Sequence, residues 1–198
     1  MSEKEKTTPP QSLSDWQLIK SFRGGNEAAF EILYERHRNR LYAFLNHLTG
    51  NTGDADEVFA ETWVRVIDKL DRYRDDGKFS AWLFRVARNI FWDKCRRKKR
   101  NGEIHFDEEF AMDEQFGSAK TDPATVLNSG DIGREINAAL QLLTPEQREV
   151  FLLRYEEVPF KEIAAIQKCS INTVLSRMQY ALNSLRKTLR DVDFGTLE

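Results

Sequence analysis

Between residues 101 and 130 the sequence loses the regular spacing of apolar residues found elsewhere in the chain. That gap constrains the fold more than any other feature. From Asn101 to Glu135 there are nine acidic and two basic residues, a net of −7, punctuated by Gly102, Gly117, Pro123 and Gly130. A stretch of this kind cannot bury enough apolar surface to offset chain entropy, and it reads as an acidic, flexible linker. On both sides of it helical spacing dominates and strand-like alternation is absent. With 198 residues, 40% of them apolar, the chain can build two small cores. The expected class is therefore all-α: two small helical domains joined by an acidic flexible linker.

The expected organisation is a disordered lead over 1–12, a first domain over 13–100, the linker over 101–130, a second domain over 131–190 and a frayed tail over 191–198. Ser14 or Asp15 is placed to cap a first helix carrying Trp16, Ile19 and Phe22, which stops at Gly24-Gly25. Asn26 is placed to cap a second, with an apolar face of Phe30, Leu33, Tyr34, His37, Leu41, Phe44, Leu45 and Leu48. A third helix from about Asp54 carries Val58, Trp63, Val66, Ile67 and Leu70 behind an acidic start that suits a helix N-terminus. A fourth is expected over 79–100. Beyond the linker, helices are expected at roughly 131–142, 145–154, 159–167 and 171–190, with Thr144-Pro145 as a cap followed by proline at the first helical position.

The net charge is only −2, although 31% of residues are charged, so charge has to be read locally. Cys95 and Cys169 are too few for a disulfide framework and suggest a reducing compartment. His37, His47 and His105 lack cysteine partners at zinc spacing. No metal and no cofactor are expected. No stretch approaches the roughly 20 apolar residues of a membrane span, and the polar start Met1–Pro10 has no apolar signal core. No membrane insertion and a cytoplasmic location are expected.

Two constellations carry chemistry. From Phe79 to Arg100 there are eight basic residues and one acid. On a helical wheel Phe79, Leu83, Val86 and Ile90 form a core stripe, whereas Arg85, Asn89, Trp92, Arg96 and Lys99 form a second stripe. Positive charge, an amide and an aromatic face suit phosphate neutralisation, base-edge hydrogen bonding and stacking on unpaired bases. The alternative is a solvated basic helix end, with Trp82 structural.

The second constellation runs from Pro159 to Met178 and has the layout of a helix-turn-helix. Ile163, Ala164 and Ile166 pack its first helix, Cys169 lies in the turn, and Ser170 is a natural N-cap. Val174, Met178, Ala181, Leu185 and Leu189 form the inner face of the second helix. Asn172, Thr173, Ser176, Arg177 and Gln179 fall near the other side, where a recognition helix meets bases. An ordinary helical hairpin is the plain alternative.

Taken together these segments resemble a known family. Gly25 to Tyr34, Asp54 to Trp63 and Phe79 to Asn89 resemble region 2 of sigma-70 family sigma factors of the extracytoplasmic-function type. Leu143 to Arg154, and Ile163 through Ser176-Arg177, resemble region 4. The resemblance spans about 14–190. It implies a region 2 helical bundle and a region 4 helix-turn-helix that direct core RNA polymerase to promoters and promote melting. It further implies that Asp54, Asp56, Glu57, Glu61 and Thr62 dock on the polymerase clamp helices. Tyr73, Arg74 and Lys78 would belong to a loop capturing a flipped base of the −10 element, with Phe79, Trp82 and Asn89 building the pocket. Arg85, Arg88, Lys94, Arg96 and Arg97 would hold the backbone. Ser170, Asn172, Thr173, Ser176, Arg177, Gln179 and Tyr180 would meet the −35 element. Implied partners are core polymerase (clamp helices and flap), promoter DNA and an anti-sigma factor. Two departures stand out: Lys168 occupies the turn position where glycine is usual, and Leu175 stands where a basic residue is common.

Two rival readings differ in class. A polymerase-independent helix-turn-helix regulator would need a ligand-sensing pocket in the first half. A magnesium-dependent nuclease would use Asp54, Asp56, Glu57 and Glu61, but no motif supplies its nucleophile or base. The sigma reading implies that the chain is not an enzyme.

Overall fold

The computed structural model describes residues 13–74, 77–101 and 131–190. The expected lead, all but the first residue of the linker, and the tail lie outside these residues, as does the side chain of Lys99. Among the described residues the chain forms eight helices and no strand.

The first, α1 (Asp15–Arg23), is started by Ser14: its hydroxyl accepts from the Gln17 amide (3.2 Å) while the Gln17 side chain accepts from the Ser14 amide (2.8 Å). Asn26 precedes α2 (Glu27–Thr49) but makes no capping bond; its amide donates to Ser21 Oγ (3.1 Å). In α2, Leu33, His37, Leu41, Phe44, Leu45 and Leu48 are buried on one face. His37 is held there by Asp15 Oδ2 at 3.0 Å and lies edge-on to Phe79. Helix α3 (Thr52–Leu70) starts two residues before Asp54, because Asn51 accepts from the Asp54 amide (2.7 Å). Val58, Trp63, Val66 and Leu70 face the core. Ile67, expected with them, is 43% exposed. Helix α4 (Phe79–Arg100) has the expected bounds, with Phe79, Leu83, Val86 and Ile90 buried.

The second group is α5 (Asp131–Gln141), α6 (Pro145–Tyr155), α7 (Phe160–Gln167) and α8 (Ile171–Thr188). Thr144 and Gln147 form a capping box ahead of Pro145. Val174, Ala181 and Leu185 anchor α8 in the core, with Met178 and Leu189 half-buried. Between α7 and α8, Lys168 adopts the left-handed conformation (φ 54°, ψ 43°) that glycine usually supplies. A side chain there costs roughly 1–2 kcal/mol, against a chain-entropy cost of about 0.5–1 kcal/mol for glycine. Lys168→Gly is therefore expected to raise stability by about 0.5–1 kcal/mol in urea unfolding. A loss would show that the lysine side chain contributes more than its backbone strain removes.

The two groups are docked on each other. The α2 helix packs on α5 and α6. Arg148, only 6% exposed, donates from α6 to the Leu140, Gln141 and Leu143 carbonyls (2.9, 3.0 and 3.3 Å) and across the junction to the Leu48 carbonyl (3.2 Å). Gln141 donates to the His47 carbonyl (2.9 Å), and His47 Nδ1 meets Asn137 Oδ1 (3.0 Å). Arg40 grips the Glu156 carboxylate (2.6 Å) and its carbonyl (3.2 Å). The acidic linker read from sequence thus connects two modules that share a polar, hydrogen-bonded junction.

Candidate nucleic-acid interface

The first candidate surface is the solvent side of α4 and the loop before it. Phe79 opens α4 as a core residue, 3% exposed, and Tyr73 is 7% exposed, so both are walls rather than free faces. The half-buried Trp82 ring lies against Tyr73 (centroids 4.9 Å apart) and Phe79 (5.7 Å). Beside these rings is a cavity of about 220 Å³ lined by Arg72, Tyr73, Arg74, Lys78, Trp82 and Arg85 of the first module and by Glu162 and Ile166 of the second. Four cations around an aromatic wall can take an anionic, stackable ligand. Arg85, Asn89 and Arg97 are exposed along the same helix.

Several cations of this surface, Lys78 of the cavity among them, are engaged. Lys78 Nζ donates to Glu162 (2.7 Å). Arg88 Nε donates to Glu149 (2.6 Å) while its guanidinium lies over the Trp92 ring (5.7 Å). Burial raises the Glu149 carboxyl above its ordinary range, a push that Arg88 and Gln167 only partly offset. Arg96 pairs with Asp93.

The acids of α3 and the bases of α4, expected to meet different partners, are in several cases paired with each other in the fold. Asp54 receives Lys94 (2.9 Å) and Lys98 (2.8 Å), and Lys94 also reaches Glu57. Partial burial alone would raise the Asp54 carboxyl. Hydrogen bonds from Lys98, Asn51 and Lys94 outweigh that and hold it well below the usual carboxylate range. Asp56 accepts from the Tyr42 hydroxyl (2.8 Å), and Glu61 pairs with Arg65 one turn on (2.9 Å). Thr62 is fully buried, donating to the Val58 carbonyl (2.6 Å). The open face of α3 carries Val64, 60% exposed, and Ile67 beside the exposed Asp56 and Glu57. No sequence signal singled out Val64.

The second surface is α8. Ser170 accepts from the Thr173 amide (3.1 Å), and their hydroxyls share a hydrogen bond (2.9 Å). Arg177 donates to Gln167 Oε1 (2.9 Å) and Cys169 Sγ (3.7 Å), and Gln167 donates to Glu149 Oε2 (2.7 Å). A polar chain thus runs from Arg88 through Glu149 and Gln167 to Arg177, joining the two candidate surfaces. Asn172, Ser176, Gln179 and Tyr180 remain exposed, together with Ile171 and Leu175. Burial pushes the Cys95 thiol up to about 11, which makes it a poor nucleophile. Among the described residues no group of three or more His, Cys, Asp or Glu side chains is placed to hold a metal ion. No helix among them is long and apolar enough to cross a membrane.

Comparison with known proteins matches residues 33–101 to the family model for sigma-70 region 2, and 133–185 to that for sigma-70 region 4. Together they take in more than half of the chain. Relatives include the ECF RNA polymerase sigma factor SigW of Bacillus subtilis, 27% identical over 88% of this chain and 96% of that protein. The ECF RNA polymerase sigma factor SigE of Mycolicibacterium smegmatis is 30% identical over 83% of this chain and 64% of its own. Among solved structures, the sigma factor RpoE in complex with the anti-sigma factor NepR from Bartonella quintana aligns with a TM-score of 0.64 at 25% identity, covering 82% of this chain and 98% of that one.

Proposed function

The chain belongs to the sigma-70 family as an RNA polymerase sigma factor of the extracytoplasmic-function type, and from that premise we propose how its residues divide the work. Residues 13–100 act as region 2, 131–190 as region 4, and 101–130 as a tether threading toward the polymerase active-site channel. The exposed side of α3, with Glu57 and Glu61, docks on the clamp helices of core polymerase, and the second module meets the flap. Asp54 and Thr62 shape that helix from within: Asp54 ties it to α4, and Thr62 lies in its buried face.

The mechanism needs no covalent step. Region 4 positions the complex on duplex DNA through α8. Region 2 then traps an unpaired base of the −10 element beside Trp82, with Tyr73 and Phe79 as walls, Asn89 exposed on α4 to reach a base edge, and Arg74, Lys78, Arg85, Arg88, Lys94, Arg96 and Arg97 toward the backbone. Trapping the unpaired strand draws the closed–open equilibrium toward melting. The observation that carries this reading is the cluster of cations Arg72, Arg74, Lys78 and Arg85 of the first module around the packed rings of Tyr73 and Trp82. Lys78 and Arg88 already hold carboxylates, so DNA engagement exchanges Glu162 and Glu149 for phosphates. The modules must part for that exchange, and core polymerase, by holding them apart, supplies the geometry. An anti-sigma factor, as in the RpoE–NepR complex, is a further partner, and the cytoplasm is the site of action.

Run-off transcription with purified core enzyme on a promoter library tests the reading. Promoter-selective transcripts that require this chain are the expected result. Failure to associate with core enzyme would remove the assignment in favour of a polymerase-independent regulator.

A further inference from the structure

Seven residues of the recognition helix and its cap are candidates for the −35 element, and three of them already hold hydrogen bonds within the chain, Ser170 and Thr173 at the surface and Arg177 part-buried. Ser170 and Thr173 are bonded to each other at the helix start, and Arg177 is held by Gln167 and Cys169. Beside the exposed Asn172, Thr173 and Ser176, the leading turns also offer apolar groups to solvent. Ile171 is 46% exposed and Leu175 is 44% exposed. Four residues apart, they stand one above the other on the same flank of α8.

A lone exposed apolar side chain needs no explanation. A stacked pair on the turns that enter the groove does, because neither residue can bond a phosphate or a base edge. Their surroundings suit a polyanion: between Ile163 and Arg190 there is no acidic residue, whereas Lys168, Arg177, Arg186, Lys187 and Arg190 are basic. On the major-groove edge of DNA the apolar group is the C5-methyl of thymine.

We propose that Ile171 and Leu175 are specificity-determining residues that select thymine at neighbouring positions of the −35 element by packing on its methyl group. This inference rests on the reading of the chain as a sigma factor and of α8 as the helix in the groove. It assigns the leucine that replaces a basic residue a role of its own: a phosphate contact is exchanged for a base preference.

The test uses holoenzyme reconstituted from core polymerase and the full chain, with a duplex library randomised across the −35 element. The best-bound duplex is then resynthesised with 2′-deoxyuridine in place of thymidine, one position at a time, which deletes only the methyl group. At one or two neighbouring positions this is expected to weaken binding by roughly threefold to tenfold. The same discrimination should vanish in Leu175→Ala or Ile171→Ala, whose exposed side chains leave the melting temperature unchanged. Selected duplexes that lack thymine, or that bind equally with deoxyuridine, overturn the inference and leave the sigma assignment standing. No enrichment of any duplex by the holoenzyme overturns the assignment itself. Discrimination that survives both alanine variants places the methyl contact elsewhere and overturns the inference. So does self-association in sedimentation that Leu175→Ala abolishes, because the patch would then belong to a second copy of the chain.

Discussion

Replacing Arg148 by alanine is expected to lower the unfolding free energy by about 3 kcal/mol or more. The guanidinium is buried, and its partners are carbonyls: Leu140 and Gln141 at the end of α5, Leu143 in the turn that follows, and Leu48 near the end of α2. The last carbonyls of a helix have no intrahelical donors and carry the negative end of the helix dipole. One side chain therefore caps two helix ends, one in each module. Burial lowers its pKa to about 10, so it stays charged at neutral pH. Truncation leaves several buried acceptors unpaired, at about 1–3 kcal/mol for each one cut off from water. Arg148→Lys keeps the charge but loses the planar fork, so an intermediate loss is expected. Urea unfolding of the full chain measures both. A loss below about 1 kcal/mol for the alanine variant would mean that these carbonyls reach water once the side chain is gone.

The second large effect concerns Arg88 and Glu149. Arg88→Ala leaves the Glu149 carboxylate, fully buried, with Gln167 as its remaining partner in the ion-pair site. An unpaired buried charge costs about 3 kcal/mol or more. Adding Glu149→Gln removes the stranded charge and should restore most of that loss, giving a coupling of about 2 kcal/mol in the double-mutant cycle. The penalty of Arg88→Ala should shrink as pH is lowered toward the ordinary glutamate value of 4.5. The Glu149 carboxyl is raised by burial, so its folded-state contribution is fully favourable below 4.5 and is lost as pH rises through the higher folded value. Coupling near zero would show that the modules are undocked in solution, because Arg88 and Glu149 meet only across the junction. Coupling at the expected size means that a residue assigned to the promoter backbone is occupied until the modules separate.

Sequence and structure agree where the determinant is local. The helix-turn-helix was legible because Ile163, Ala164 and Val174 fall at fixed helical offsets around a turn capped by Ser170. The two faces of α4 were legible because an apolar stripe at spacings of four and three leaves the other side to charge and amides. Lys168 as the turn residue was visible in sequence, and its left-handed backbone follows from the need to reverse between α7 and α8.

The helices, the caps at Ser14, Thr144 and Ser170, the apolar face of most helices and the presence of two modules are legible in the sequence, because they arise from interactions within a few residues. Which charges are available depends on how the helices pack. Asp54 meets Lys98 across 44 residues, Arg88 meets Glu149 across 61, and Arg40 meets Glu156 across 116. Helical periodicity says that such a side chain faces away from its own core. It carries no information about which other helix supplies the opposite charge, because that depends on how finished helices pack and not on spacing along the chain.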